Sequence, residues 1–398
     1  MSHIHLCWEL GGGLGHAGRL KMLAQVLLSR GHRVTMSLRD LMHTHALLAD
    51  LNVPKLQAPV WLHSAAGLPQ SANLAEIAFH CGYLQPEALR GMVAGWREMF
   101  ALLQPDLVVG DYAPTALLAA RSLGLRSASV GSGFSSPPHG RALPAFQSAP
   151  AERLAASEAR MLATANAVLA GFAGRSTCMQ PYAHAADVFC GDLQLLCTWP
   201  ELDHCETRGE AQWMGPSFVA QGGIAPQWPE GEGRKVFAYL KAGHTAHGAV
   251  LKALVEEGCR VLAYVPEVAA GGPAPLASEQ VLYAESPVAL PQALAEADLC
   301  VCHAGEATLA QSLLAGVPLL MLPSHTEQFL SARRVAMSGA GYNAALLTPE
   351  SDWRAVLRAL LNDASYRDAA RAFAARHQGF SQQQMNQELA LQLERLLP

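Results

Sequence analysis

Lysine is scarce in this chain of 398 residues: only Lys21, Lys55, Lys235, Lys241 and Lys252 occur, and they are scattered. Charged residues of every kind make up 15% of it, where soluble domains carry about a quarter. The formal net charge is −5. A nucleic-acid polymer requires clustered Lys and Arg to displace its counterions, so no nucleic-acid partner is expected. Long apolar runs are missing too. No stretch of about 18 uncharged apolar residues occurs, and no transmembrane helix is expected. Residues 1–13 lack the basic segment and long apolar run of a secretory signal. The nine cysteines form no C-x-x-C pair, which fits reduced thiols in a cytoplasmic protein. D-x-D is absent, and neither His43-x-His45 nor His244-x-x-His247 has Cys or carboxylate partners at ligand spacing. These four histidines read as loop or helix-surface residues, and no metal is expected.

What is present is alternation. Residues 4–10 form an apolar run, Gly11-Gly12-Gly13-Leu14-Gly15 follows, and Leu20, Leu23, Ala24, Leu27 and Leu28 then recur at helical spacing. Gly31 stops that helix and residues 32–38 start a second strand. Further strands are predicted at 106–110 and 127–131 around a helix at 114–123. Residues 61–100 mix Pro, Gly and aromatics with less regularity, and residues 131–150 read as a loop. A Pro- and Gly-rich segment without periodicity, residues 216–234, is the linker candidate. Beyond it come predicted strands at 236–240, 260–265, 299–303 and 318–322, with helices at 248–257, 288–296 and 308–315. The expected fold class is α/β, with two doubly wound parallel sheets facing a central cleft. The expected domains are 1–215, 235–379 and a C-terminal segment, 380–398, that crosses back to the first.

Residues 297–341 carry the densest chemistry. A strand runs to His303, a short loop follows, and a helix is predicted to open near Thr308. First-turn amides there lack intrahelical acceptors and face the positive end of the helix dipole. Small residues at Ala304, Gly305 and Ala307 would let an anion approach the backbone. His303 and the Thr308 hydroxyl can both donate to a phosphate oxygen, and Glu327 beside Gln328 suits neighbouring sugar hydroxyls.

This segment resembles the donor-binding signature of family 1 glycosyltransferases of the GT-B fold. That signature runs H-x-G-x-x-T/S, a helix, G-V-P, a strand, then P-x-x-x-D/E-Q. It stands here as His303, Gly305, Thr308, Gly316-Val317-Pro318, Pro323 and Glu327-Gln328. The resemblance implies that His303 and the backbone of Gly305, Glu306, Ala307 and Thr308 bind a donor diphosphate. Glu327 and Gln328 would bind the donor sugar, and the loop ending at Val288 would cradle the nucleobase. Gln311 stands where many members carry a glutamate that grips both ribose hydroxyls. An amide grips a vicinal diol less well, so dTDP-sugars stand beside UDP-sugars as expected donors. Gly243, in the loop at 241–247, would let that loop approach the same diphosphate.

In the first half His16 opens the helix after the glycine turn, where the dipole disfavours imidazolium. Asp111 ends a predicted strand at the same sheet edge. Such a pair can act as a general base, the carboxylate fixing the tautomer of the imidazole. The family resemblance covers Gly15-His16 and Asp111 as well, and implies an inverting, metal-independent transfer to an acceptor hydroxyl, without a cofactor. Gly15 and Phe134 would lie on the acceptor side. Residues 61–100 and 131–147 would line a pocket for a small or lipid-like acceptor.

Three other readings fit the sequence. Gly13-x-Gly15-x-x-Gly18 with Asp40 satisfies a dinucleotide-binding fingerprint, and so an NAD- or FAD-dependent oxidoreductase. A GT-B-like binding or activator protein without turnover is the second, and a sugar-nucleotide epimerase the third.

Overall fold

The computed structural model describes residues 1–63, 67–173, 180–205, 208–219 and 222–398. The chain divides into two compact units: residues 1–217 with 381–398, and residues 218–380. Of the nine cysteines, Cys178 lies outside the described residues; the other eight are free thiols.

Unit 1 is built on seven strands: β1 (His3–Trp8), β2 (Arg33–Leu38), β3 (Lys55–Gln57), β4 (Leu107–Asp111), β5 (Arg126–Gly131), β6 (Leu193–Leu196) and β7 (Gln212–Trp213). They lie in the order β3-β2-β1-β4-β5-β6-β7, each pair parallel. Parallel strands need covering on both faces, which is why β1 and β4 are buried from end to end. The covering helices are α1 (Gly15–Ser29), α2 (Leu41–Thr44), α3 (Leu74–Phe79), α4 (Pro86–Leu103), α5 (Pro114–Leu123) and α6 (Ala151–Phe172). The segment at 61–100, which the sequence leaves irregular, thus contains most of a helix of 18 residues, α4. Leu89, Val93, Trp96 and Phe100 bury one face of it, while Gly91 and Gly95 fall on the other.

Unit 2 has six strands: β8 (Lys235–Tyr239), β9 (Arg260–Tyr264), β10 (Val281–Tyr283), β11 (Leu299–Cys302), β12 (Leu319–Met321) and β13 (Gly341–Asn343). Its helices are α7 (His247–Glu256), α8 (Pro266–Ala269), α9 (Leu290–Glu296), α10 (Glu306–Leu314), α11 (Thr326–Met337), α12 (Trp353–Asn362) and α13 (Ala364–Arg376). Val236, Ala238, Leu251, Val261, Val301, Leu320 and Trp353 belong to its buried core. The strand order β10-β9-β8-β11-β12-β13 repeats that of unit 1 over six strands, so β8 stands where β1 stands and β11 where β4 stands. In each unit the order reverses between those two strands. That switch point leaves a crevice at their carboxyl ends where ligands of open α/β sheets bind.

A last helix, α14 (Gln382–Glu394), belongs to unit 1 and packs on α1. Leu389, Ala390 and Leu393 are fully buried, and Glu394 accepts from Arg30 Nε at 2.6 Å. Part of the Pro- and Gly-rich segment is tied to unit 2: Ile224 pairs with Val288 in an isolated parallel bridge. No helix among the described residues is long and apolar enough to cross a membrane.

Candidate active site

In unit 1 the site is assembled at the carboxyl ends of β1 and β4, where Trp8 pairs with Asp111 in register. The glycine turn after β1 delivers α1, and His16 lies in its first turn. The Asp111 carboxylate is wholly buried; its Oδ1 accepts from His16 Nδ1 at 2.8 Å and its Oδ2 from Arg19 Nη1 at 2.8 Å. Burial alone would push the Asp111 carboxyl up, but Arg19 and then His16 outweigh it and hold the group below its usual value. An ionised carboxylate only accepts, so the His16 proton sits on Nδ1 and the lone pair on Nε2. The His16 ring stacks on Trp8 at 5.5 Å and lies 6.2 Å from Tyr112. Gly11 (φ +78°) is needed beside it: a Cβ there would sit 2.6 Å from His16 Nε2.

Asp111 does not cap α5, which begins on Ala113 with no side-chain cap. The carboxylate at its mouth is Glu9, whose Oε2 accepts from Thr115 N at 2.8 Å. Glu9 is buried, and desolvation, opposed by the Thr115 and Ala116 donors and by Arg39, pushes its carboxyl up to about 7. Gly15 is the exposed first residue of α1. Phe134 is buried, edge-on to Tyr112 at 6.0 Å and stacked on Phe146 at 4.9 Å. Between α3 and α6 a cavity of about 340 Å³ is lined by Leu68, Pro69, Phe79 and Ala156, with the Glu76–Arg153 ion pair on its wall.

In unit 2 the ends of β8, β11 and β12 bring together Lys241, His303, His325 and Glu327. Helix α10 begins at Glu306, with Gly305 as N-cap, two residues earlier than the sequence suggests. Thr308 is therefore a buried third residue of the helix, and Glu306 and Ala307 occupy the opening. Ala304 takes φ +59°, turning the chain sharply from strand into helix, as Tyr112 (φ +49°) does after Asp111.

His303 departs from expectation. Its Nδ1–H donates to Leu322 O at 2.6 Å and its Nε2 accepts from Lys241 N at 3.0 Å. The ring therefore braces the loops after β8 and β12 and does not present a free N–H to an anion. Burial, His244 and Lys241 hold it below the usual imidazole value. His247, expected on a helix surface, is buried, and burial, His303 and His244 lower it to about 4. His244, His247 and His303 pack ring to ring with centres 5.1–5.6 Å apart. No three such groups among the described residues are placed to hold a metal ion.

Glu327 and Gln328 lie in the first turn of α11, with Gln328 Oε1 accepting from Ser324 N at 3.0 Å and Ser324 Oγ at 2.8 Å. Gln311 is half-buried on α10, its Nε2 donating to Ala307 O at 3.1 Å. Gly243 has φ +96°, and Val288 is buried. Unit 2 thus sets the opening amides of α10 one loop away from the Glu327 carboxylate.

Residues 279–385, which include α10, Gln311, Glu327 and Gln328, match the model of the glycosyltransferase family 28 C-terminal domain. Solved structures match the whole chain. The calicheamicin glycosyltransferase CalG4 is 18% identical, with a TM-score of 0.70 over 99% of this chain and 98% of its own. The spinosyn rhamnosyltransferase SpnG in complex with thymidine diphosphate is 17% identical, with a TM-score of 0.69 over 98% and 99%. The glycosyltransferase SsfS6 of Streptomyces sp. SF2575 is 17% identical, with a TM-score of 0.66 over 99% and 100%. No curated protein matches the sequence.

The chain has the GT-B fold, and residues 279–385 of its second unit match a glycosyltransferase domain. In this fold the dinucleotide fingerprint has a different use: Asp40 caps α2, accepting from His43 N at 2.9 Å, and Gly18 is buried within α1. Two residues of the site escape the sequence reading, Arg19 and Glu9. Arg19 does leave a trace, as a charge among the apolar positions of α1, three residues after His16.

Proposed function

We propose that the chain transfers a glycosyl group from a nucleoside-diphosphate sugar to a hydroxyl of a small-molecule acceptor, unit 2 holding the donor and unit 1 the acceptor. His16 Nε2 takes the acceptor proton while Asp111 steadies the imidazolium that forms. The acceptor oxygen attacks the anomeric carbon in one displacement, inverting it, as the bond to the diphosphate breaks. The charge that develops on the leaving diphosphate falls on the opening amides of α10, with Thr308 beside them. In this reading His303 holds the Lys241 loop in place, and Glu327 and Gln328 meet the sugar. The step calls on neither metal nor cofactor.

The observation that carries the reading is the His16–Asp111 pair, 2.8 Å apart, in a chain whose other unit matches a glycosyltransferase domain. Gln311 in place of a carboxylate supports a deoxyribose donor, as does the thymidine diphosphate bound by the similar SpnG. His16→Ala should lower donor hydrolysis and transfer by about 10²–10⁴-fold and leave calorimetric binding of thymidine diphosphate intact. Full activity in that variant would end the general-base assignment. Binding of UDP in preference to thymidine diphosphate would end the donor assignment.

A further inference from the structure

We infer that Arg19 is a positioning residue of this site, one that keeps Asp111 ionised and so leaves the lone pair on His16 Nε2. The inference rests on the reading of His16 as the base. His16 and Arg19 are three residues apart on α1, so one helical turn directs both side chains to the same neighbour. That neighbour is Asp111, whose two oxygens are divided between them at 2.8 Å each. The Asp111 side chain is wholly buried and that of Arg19 is 4% exposed. Arginine is among the costliest side chains to desolvate, and Leu20, Leu23 and Ala24 around it are the apolar residues a helix buries by default. An arginine held there has to answer a charge.

The reason the site needs such a group is a matter of proton counting. A dry aspartate with a histidine as its one partner can relieve its charge in two ways. It can take a proton itself and donate to His16 Nδ1, which moves the ring proton to Nε2. Alternatively His16 can keep a second proton permanently. Both states place a hydrogen on Nε2 and remove the lone pair the acceptor proton needs. A fixed guanidinium beside Asp111 disfavours the extra proton in either place, so ionised Asp111 with neutral His16 becomes the resting pair. Among the described residues the charged groups that act on Asp111 are Arg19 and His16. Glu9, the other carboxylate at this strand edge, is turned to the first amides of α5, and the rings packed on His16 are Trp8 and Tyr112.

Arg19→Met keeps an unbranched apolar stem and removes the charge; Arg19→Lys keeps the charge. The His16 ring nitrogens of the full-length protein, free of substrate, are followed by ¹⁵N NMR across pH, alongside the pH profile of donor hydrolysis. In Arg19→Met the pair should take up its proton at least about one pH unit higher than in the wild type. The acidic limb of kcat/KM should move with it, KM for the donor should stay unchanged, and Arg19→Lys should return most of the shift. An unchanged titration and acidic limb in Arg19→Met would reduce Arg19 to packing and overturn the inference. If Arg19→Met does not fold, the double variant with Asp111→Asn decides. Recovery of the fold there supports neutralisation of Asp111 as the role of Arg19, and failure to recover overturns it. The NMR titration needs no turnover, so an active His16→Ala would sink the general-base reading while the spectra alone still decide the role of Arg19.

Discussion

Glu9 is a residue through which this site affects stability. Its carboxyl ordinarily titrates at 4.5 and here at about 7. A raised value means that between those two pH values the folded chain holds a proton the unfolded chain has lost. The contribution is therefore fully present below pH 4.5 and disappears as pH rises through 7. The loss amounts to about 3 kcal/mol from this group. Urea unfolding at pH 5 and pH 8 should show a distinctly smaller drop for Glu9→Gln than for the wild type, while the titrations they share cancel. Equal drops in the two proteins would contradict the assignment. Neither Glu9 nor Arg19 can be assigned a role from the sequence, because periodicity identifies apolar faces and at most flags a charge within one, without its buried partner. His16 and Asp111 are legible as a candidate pair because each stands at the end of an obvious element, at a shared sheet edge. The bracing role of His303 could not be read, since its two partners are backbone atoms 19 and 62 residues away in sequence.

Among the elements, the short buried strands and the glycine-stopped helices stand out in the sequence because a parallel sheet demands apolar runs with sharp ends. Helix α4 does not, although Leu89, Val93, Trp96 and Phe100 carry its apolar stripe. Pro86 and two glycines look like breakers, but proline at the first turn sacrifices no hydrogen bond, and Gly91 and Gly95 fall away from the buried stripe. Helix α14 is an element whose stability comes from docking. Leu389 is fully buried in its contact with unit 1, and Leu389→Ala should cost about 2–5 kcal/mol on equilibrium unfolding. A change under about 1 kcal/mol would show that the helix is held by its polar contacts to Arg30 and His32 instead.

For the molecule as a whole, one strand order is used twice, with different chemistry at the matching edges. The end of β4 carries a carboxylate bonded to His16, and the end of β11 an imidazole that braces the loops after β8 and β12. Thymidine diphosphate should accordingly slow amide exchange at the start of α10 and in the loop after β8, and leave the strands of unit 1 unchanged. Protection confined to unit 1 would reverse the division of labour between the halves.

The path of the chain through these halves bears on how it is made. Unit 1 is left at residue 217 and completed only at residue 381, after the whole of unit 2. Arg30 meets Glu394 across a sequence separation of 364 residues. On the ribosome, the face of α1 that receives α14 stays bare until the whole of unit 2 has been made, whereas unit 2 is contiguous and can close first. Of the two units, the one made first is the one that finishes folding last.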